Sequence, residues 1–272
     1  MYREEGMRDL VETLSRFSIP HDIVSLDPAT GALSPDVRPE GAVMICGTYR
    51  LSRLAAERGW FPGSFLNANH DHRAWTAAWG GRMLNAAART TRFADARPAP
   101  GRVFIRPAAD NKYFDGQVLD AEEVDAWRDA LCRGGRSPVR CSDKVGPETE
   151  VTWGPAHPIY RESRFFVVDG EIAASTTYRI GRDTVASPDV DPQALAYARG
   201  AVAEWRPARA FALDVALTDG GYRIVEVNCI NMSGFYGADV QRLVMALDGM
   251  EFPGPEDASG RDPVTEGTPR RP

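Results

Sequence analysis

Apolar positions recur at helical spacing near the start of the chain. Met7, Leu10, Val11, Leu14 and Phe17 predict a helix over 5–17, which Pro20 ends. HDIVSL (21–26) then reads as a short strand, and residues 27–40, with Pro28, Gly31, Pro35 and Pro39, as a loop. AVMICG (42–47) reads as a buried strand ending at glycine. A helix over about 50–58 follows, then a loop marked by Trp60, Phe61 and Pro62, then a long helical stretch over 70–88 that breaks near Gly80-Gly81. This succession predicts a small α/β lobe. Such a lobe usually opens with a strand, and none precedes the first helix; either the native start lies upstream or the lobe is a reduced one.

The character changes after residue 90, with a boundary predicted at Pro98, Pro100 and Gly101. RVFIRP (102–107) is a strand and AADNKYFDGQV (108–118) a polar loop. AEEVDAWRDALC (121–132) has the spacing of an amphipathic helix, and residues 133–156 are weakly patterned and loop-rich. RFFVVDGEIAASTTYRI (164–180) is a hairpin turning at Asp169-Gly170. DPQALAYARGAVAEW (191–205) is a helix opening on an aspartate cap, and GADVQRLVMAL (237–247) is a final helix. The last segment, 251–272, is rich in Pro and Gly and poor in apolar residues, which predicts a disordered tail.

The segment richest in chemistry is FALDVALTDGGYRIVEVNCIN (211–231). Two apolar runs flank an Asp-Gly-Gly turn, the pattern of a second hairpin. Asp214 interrupts the first strand; Glu226 and Asn228 interrupt the second and, two residues apart, share a face. Burying two carboxylates and an amide is costly unless a cation compensates them. Hard oxygen donors of this kind suit Mg²⁺, which is usually held by a few carboxylates and nucleotide phosphates. The pattern therefore points either to a nucleotide-linked magnesium site or to an exposed hairpin whose polar face looks at water.

Composition narrows the classes. The chain has 272 residues, enough for one large α/β domain or two smaller lobes. Its net charge of −6 argues against general binding to nucleic acid or anionic membrane surfaces. No apolar run approaches the ~20 residues of a membrane span. The N-terminus is charged and amphipathic rather than signal-like. Cys46, Cys132, Cys141 and Cys229 form no CxxC pair, so reduced thiols and a cytoplasmic location are expected, and a zinc cluster is not. Neither GxGxxG nor GxxxxGK[ST] is present, which leaves out a Rossmann fingerprint and a Walker loop. His70 and His72 lie too close along a helix to share a face, so capping or surface roles are expected of them. Among 32 basic residues only Lys112 and Lys144 are lysines. A lysine retained against so strong a drift to arginine is a candidate for a role a guanidinium cannot fill.

The order of these elements resembles the ATP-grasp superfamily over roughly residues 100–248. The anchors are IRP (105–107), DNKYFDG (110–116), YRESRFFVVDGEIAASTTYR (160–179), ALDVAL (212–217) and EVNCINMSGFYGADV (226–240). The resemblance implies an α/β (α+β) ATP-grasp fold. Residues 1–98 would form the smaller N-terminal α/β lobe that precedes it, 99–250 the nucleotide- and metal-binding region and 251–272 the tail. It implies ATP and Mg²⁺ as cofactors, with Asp214, Glu226 and Asn228 as metal ligands. Arg106 stands where most relatives place a phosphate-binding lysine, Arg73 similarly stands for a second lysine, and Lys112 lies in the loop that would fold over the triphosphate. Glu162 matches the acid that contacts the ribose hydroxyls, and residues around 157–160, Ile159 and Tyr160 among them, would offer backbone contacts to adenine. Arg164 and Arg179 would face phosphate or the substrate carboxylate, unless they only pair across their hairpin with surface acids; Asn231 and Ser233 would lie near the acceptor. The implied activity is an ATP-dependent carboxylate–amine (or carboxylate–thiol) ligase passing through an acylphosphate, with Lys112, Arg164 and Arg179 catalytic and with small-molecule or peptide substrates. A kinase-like phosphoryl transferase on the same fold, or a non-catalytic nucleotide-binding module, are the alternatives. Oligomeric state is open.

Overall fold

The computed structural model describes residues 2–108 and 113–252. Lys112 and the tail beyond Phe252 lie outside the described residues. The chain divides into two compact units: residues up to His70 together with those from Ile159 onward, and residues 71–158.

In the first unit, α1 (Tyr2–Arg16) forms over the predicted amphipathic stretch. The two-residue strands β1 (Ser25–Leu26) and β2 (Leu33–Ser34) pair antiparallel within the proline-rich loop. β3 (Ala42–Met44), α2 (Tyr49–Glu57) and β4 (Phe61–Gly63) make a parallel strand–helix–strand crossover. The Trp60–Pro62 segment, expected as loop, thus contributes a strand; a two-stranded sheet is all edge, where a proline lacking its N–H is tolerated. Thr48 caps α2 by accepting from Leu51 N at 3.2 Å, and the helix packs Leu51 and Ala55 with Leu33 and Ile45.

The second unit opens with α3 (His72–Trp79), capped by Asp71, which accepts from Arg73 N at 2.7 Å. The helix expected to run to residue 88 stops at Gly80, whose φ of 49° is left-handed, and a 3₁₀ turn follows. β5 (Arg89–Arg92), β6 (Arg102–Pro107), β7 (Gln117–Asp120), α4 (Ala121–Cys132) and β8 (Glu150–Pro155) complete it, the four strands forming one antiparallel sheet ordered β5-β8-β6-β7. β8 arises inside the stretch read as loop-rich. β5 pairs with β8, so residues 89–92 share a sheet with 102–107 and the division of the chain falls before α3 rather than near residue 98. Trp127 of α4 centres this core, edge-on to Phe93 at 4.7 Å and to Phe114 at 5.0 Å.

The chain then returns to the first unit. β9 (Arg161–Val168), β10 (Glu171–Ile180), β11 (Asp183–Ser187), α5 (Pro192–Glu204), β12 (Ala210–Thr218), β13 (Gly221–Cys229) and α6 (Val240–Asp248) follow in order. The five strands make an antiparallel sheet ordered β11-β10-β9-β12-β13. Asp169 and Gly170 both have left-handed φ, 47° and 90°, as a two-residue hairpin loop requires. Phe166, Val168, Ala210 and Ala212 pack against Phe235 and the apolar side of α6, Val240, Leu243 and Val244, with Leu10 and Leu14 of α1 beside them. Glu162 and Arg164 have the same strand parity as Phe166 and Val168, so the face that is apolar at one end is polar at the other.

Candidate functional site

Two register shifts assemble this polar end. Near the turn, β12 and β13 pair as Thr218 with Gly221 and Val215 with Ile224. Continued unbroken, that register would set Asp214 opposite Val225 and put Glu226 beside Leu213, on the other face. A bulge at Val225 intervenes, Asp214 pairs with Glu226, and both acids and Asn228 come to one face. Asn228 Nδ2 donates to Asp214 Oδ2 at 3.2 Å and to Glu226 Oε1 at 3.0 Å. A second bulge lies between β9 and β10, where Thr177 pairs with Ser163 and Arg179 with Glu162, leaving Tyr178 as the extra residue. Tyr178 and Arg179 therefore both address Glu162. The Tyr178 hydroxyl donates to Glu162 Oε2, and Arg179 Nη2 pairs with Oε1.

Arg164 lies between these two groups. Its Nε and Nη2 donate to Asp214 Oδ1 and Oδ2, each at 2.7 Å, and its Nη1 donates to Gly234 O at 3.1 Å. The guanidinium also lies over the rings of Tyr178, at 5.5 Å, and Tyr236, at 5.2 Å. Gly234 is needed at its position because a β-carbon there would stand 2.9 Å from the Tyr236 ring. Side-chain exposure is 8 % for Arg164 and 1 % for Asp214. Burial by itself would lower the Arg164 pKa; the adjacent Asp214 charge outweighs it and raises the value, so the group stays cationic. The substrate-facing role expected of Arg164 does not fit this geometry, since its donors are directed at a buried carboxylate and a main-chain carbonyl. The acid it pairs with is equally buried, so the surface pairing is no better a description.

Arg179 is half-buried, and its Nε is buried without a hydrogen-bond partner. Burial raises the Glu162 pKa, partly offset by the Tyr178 hydroxyl and the Arg179 charge. The folded chain thus holds that proton more tightly than the unfolded chain. Stability from this group is complete below the unfolded value of about 4.3 and is lost as pH rises through the raised folded value. Glu162→Gln removes that loss, so its stability relative to wild type is expected to improve from about pH 4 to about pH 7 in urea unfolding. A pH-independent difference would refute the assignment.

Other expected site residues take varied places. Tyr160 has its backbone N–H on Leu217 O at 2.9 Å and its carbonyl accepting from Gly181 N at 2.7 Å, so both groups expected to meet adenine are already paired. Ile159 precedes it, half-buried. Asn231, expected near the acceptor, is a buried clasp: it donates to Ile45 O at 2.7 Å and accepts from Phe65 N at 2.9 Å. Ser233 donates to Cys229 O at 2.9 Å. In the second unit, Arg73 at the start of α3 pairs with Glu150 at 2.8 Å, both largely exposed. Arg106 on β6 lies over the Trp75 ring at 5.6 Å. His70 and His72 are buried rather than on the surface; burial, then the Arg106 charge, lowers the His72 pKa. Tyr178 and Tyr236 were not legible as site residues, because parity along a regular strand puts Tyr178 on the face opposite Arg179.

The donor set fits a magnesium ion. Among the described residues no three His, Cys, Asp or Glu side chains form a metal cluster. Two carboxylates and an amide suit a hard cation that keeps several waters and shares phosphate oxygens. The Asn228 amide N–H₂ group now bridges Asp214 and Glu226, the place a cation would take, and a half-turn of the amide presents its oxygen instead.

Comparison with known proteins follows the same lines. The chain is similar in structure to the D-cycloserine synthetase DcsG (TM-score 0.59, 14% identity, covering 90% of this chain and 94% of that one). It is also similar to a RimK domain ATP-grasp protein from Sphaerobacter thermophilus DSM 20745 (TM-score 0.57, 19% identity, 87% and 92% covered). A third similar structure is the ATP-grasp ligase PsnB complexed with a minimal precursor (TM-score 0.52, 15% identity, 89% and 93% covered). At these identities the likeness is one of fold. No curated protein matches the chain significantly. No helix among the described residues is long and apolar enough to cross a membrane. A family model for the ATP-grasp domain, the third family of its clade, matches residues 36–247, most of the chain, and this protein belongs to that ATP-grasp family.

Proposed function

We propose that this protein is an ATP- and Mg²⁺-dependent ligase that joins a carboxylate to an amine. One observation carries the reading: in a chain of ATP-grasp family, a strand bulge brings Asp214, Glu226 and Asn228 to one face, in the same sheet as Glu162 and Arg179. ATP-grasp members are mostly carboxylate–amine ligases. Glu162 would hold the ribose hydroxyls, with Ile159 beside the adenine. Arg106, Lys112 and Arg73 would meet the phosphates; the exposed Arg73–Glu150 pair is weak enough to exchange its partner. Mg²⁺, held by Asp214, Glu226 and Asn228, would supply the charge that offsets the phosphate oxygens. A substrate carboxylate oxygen attacks the γ-phosphorus, the bond to ADP breaks, and an acylphosphate forms. The amine then attacks the acyl carbon, phosphate leaves, and the amine loses its proton to give the amide. Arg179 orients the carboxylate and faces the oxyanion of the tetrahedral intermediate. Substrates are small-molecule or peptide acids and amines, as for the relatives whose names specify a small amide product or a precursor.

The test is ADP release from Mg·ATP across a panel of acids, each with and without a panel of amines, with products weighed by mass spectrometry. ADP that requires both an acid and an amine, with a condensation product, supports the ligase. A stable phosphorylated acceptor formed without amine moves the assignment to a phosphoryl transferase. Absence of any Mg²⁺-dependent nucleotide binding points to a non-catalytic module.

A further inference from the structure

Tyr178 belongs to no expected role, yet the strand is bulged to place it. Its hydroxyl donates to Glu162 Oε2 and also lies in hydrogen-bond contact with Asp214. Its ring supports the Arg164 guanidinium at 5.5 Å and lies 5.4 Å from the ring of Tyr236, tilted by 30°. One phenol thus touches two acids on neighbouring strands and the arginine between them. A phenol has a single proton, so it can be donated to only one carboxylate at a time. The proton is directed at Glu162 here, while both oxygens of Asp214 accept from Arg164. Burial and the two nearby carboxylates raise the Tyr178 pKa well above the ordinary phenol value, so this donor persists across the working pH range.

We propose that Tyr178 is a positioning residue for the nucleotide: its hydroxyl, with Arg179, fixes the Glu162 carboxylate in the orientation that receives the two ribose hydroxyls. The inference rests on the reading of Glu162 as the ribose contact. A free glutamate side chain has three rotatable bonds, and ordering it on ligand arrival weakens binding. Tyr178 and Arg179 bond one oxygen each, which sets the carboxylate plane before a ligand comes. Each oxygen keeps further lone-pair directions for the ribose. The bulge is what permits this, because in an unbroken register only one of two adjacent residues could address Glu162.

The experiment compares binding of Mg·ADP with Mg·2′,3′-dideoxy-ADP by calorimetry in wild type, Glu162→Gln and Tyr178→Phe. Phenylalanine keeps the ring under Arg164 and removes only the hydroxyl. Wild type is expected to prefer ADP by about tenfold or more, the worth of hydrogen bonds to a charged group. In Tyr178→Phe the preference should fall to within about threefold, through weaker ADP binding, with dideoxy-ADP affinity unchanged. A general packing defect would weaken both ligands alike. Tyr178→Met, of similar length and without a donor, gives the same comparison should the phenylalanine variant not fold. A wild-type preference that Glu162→Gln abolishes and Tyr178→Phe preserves overturns the proposal while leaving the ribose contact intact. A wild type that does not distinguish the two nucleotides overturns the ribose reading, and the proposal with it.

Discussion

Arg164→Met is expected to lose about 3–5 kcal/mol of stability near neutral pH, read as a lower urea midpoint. The cause is the charge left behind. Asp214 is 1 % exposed, and its two oxygens accept from Arg164 at 2.7 Å each. Methionine fills much of the volume and keeps contact with the Tyr178 and Tyr236 rings, but it leaves a buried carboxylate with only the Asn228 amide and the Tyr178 hydroxyl. That carboxylate then takes up a proton more readily than in the unfolded chain. The variant is therefore least affected at low pH and loses ground as pH rises through the elevated folded value of Asp214. Replacing both partners, Arg164→Met with Asp214→Leu, should recover most of the loss, because a buried ion pair is often matched by apolar residues of similar volume. Urea unfolding of the two single variants and the double variant gives the coupling directly. An Arg164→Met protein within about 1 kcal/mol of wild type at neutral pH would show that Asp214 does not depend on this pair.

The candidate site was legible to the extent that it follows strand periodicity. Glu226 and Asn228 share a face by spacing alone, and α4 forms over the residues whose apolar spacing predicts it. What spacing cannot carry is a shift of register. The bulge at Val225 decides whether Asp214 and Glu226 meet, and the one at Tyr178 decides whether a tyrosine or only an arginine reaches Glu162. A bulge depends on pairing between two strands, so neither strand's own sequence declares it. Burial misled in the same way. Arg164 and Arg179 look alike from their positions in the hairpin. The first is held against Asp214 on the inner strand β12, while the second stays half-exposed, on a strand followed by the edge strand β11. Long-range sequence separation hid the role of Asn231, whose partners Ile45 and Phe65 lie far upstream in the chain.

Glu226 presents the opposite balance to Arg164, and Glu226→Gln is expected to abolish the magnesium dependence of nucleotide binding while leaving the fold as stable as wild type or more so. Asp214 and Glu226 are direct cross-strand partners, and like charges in that position are destabilising. Only the Asn228 amide bridges them in the absence of a cation. Glutamine keeps the volume, removes one of the two charges and relieves their repulsion. The same change deprives a divalent cation of half the carboxylate charge available to it. Loss of even an indirect metal partner typically costs 10–100-fold in affinity, so loss of a ligand should cost about a hundredfold or more. The measurement is calorimetric titration of a non-hydrolysable ATP analogue with and without Mg²⁺, on wild type and variant, beside a thermal melt of each. Wild type is expected to bind more tightly with the metal, and the variant to bind equally weakly either way. A variant that keeps the magnesium dependence would remove Glu226 from the ligand set. A variant that loses binding together with its folding transition would make the glutamate a structural residue, against what the cross-strand pairing of two acids implies.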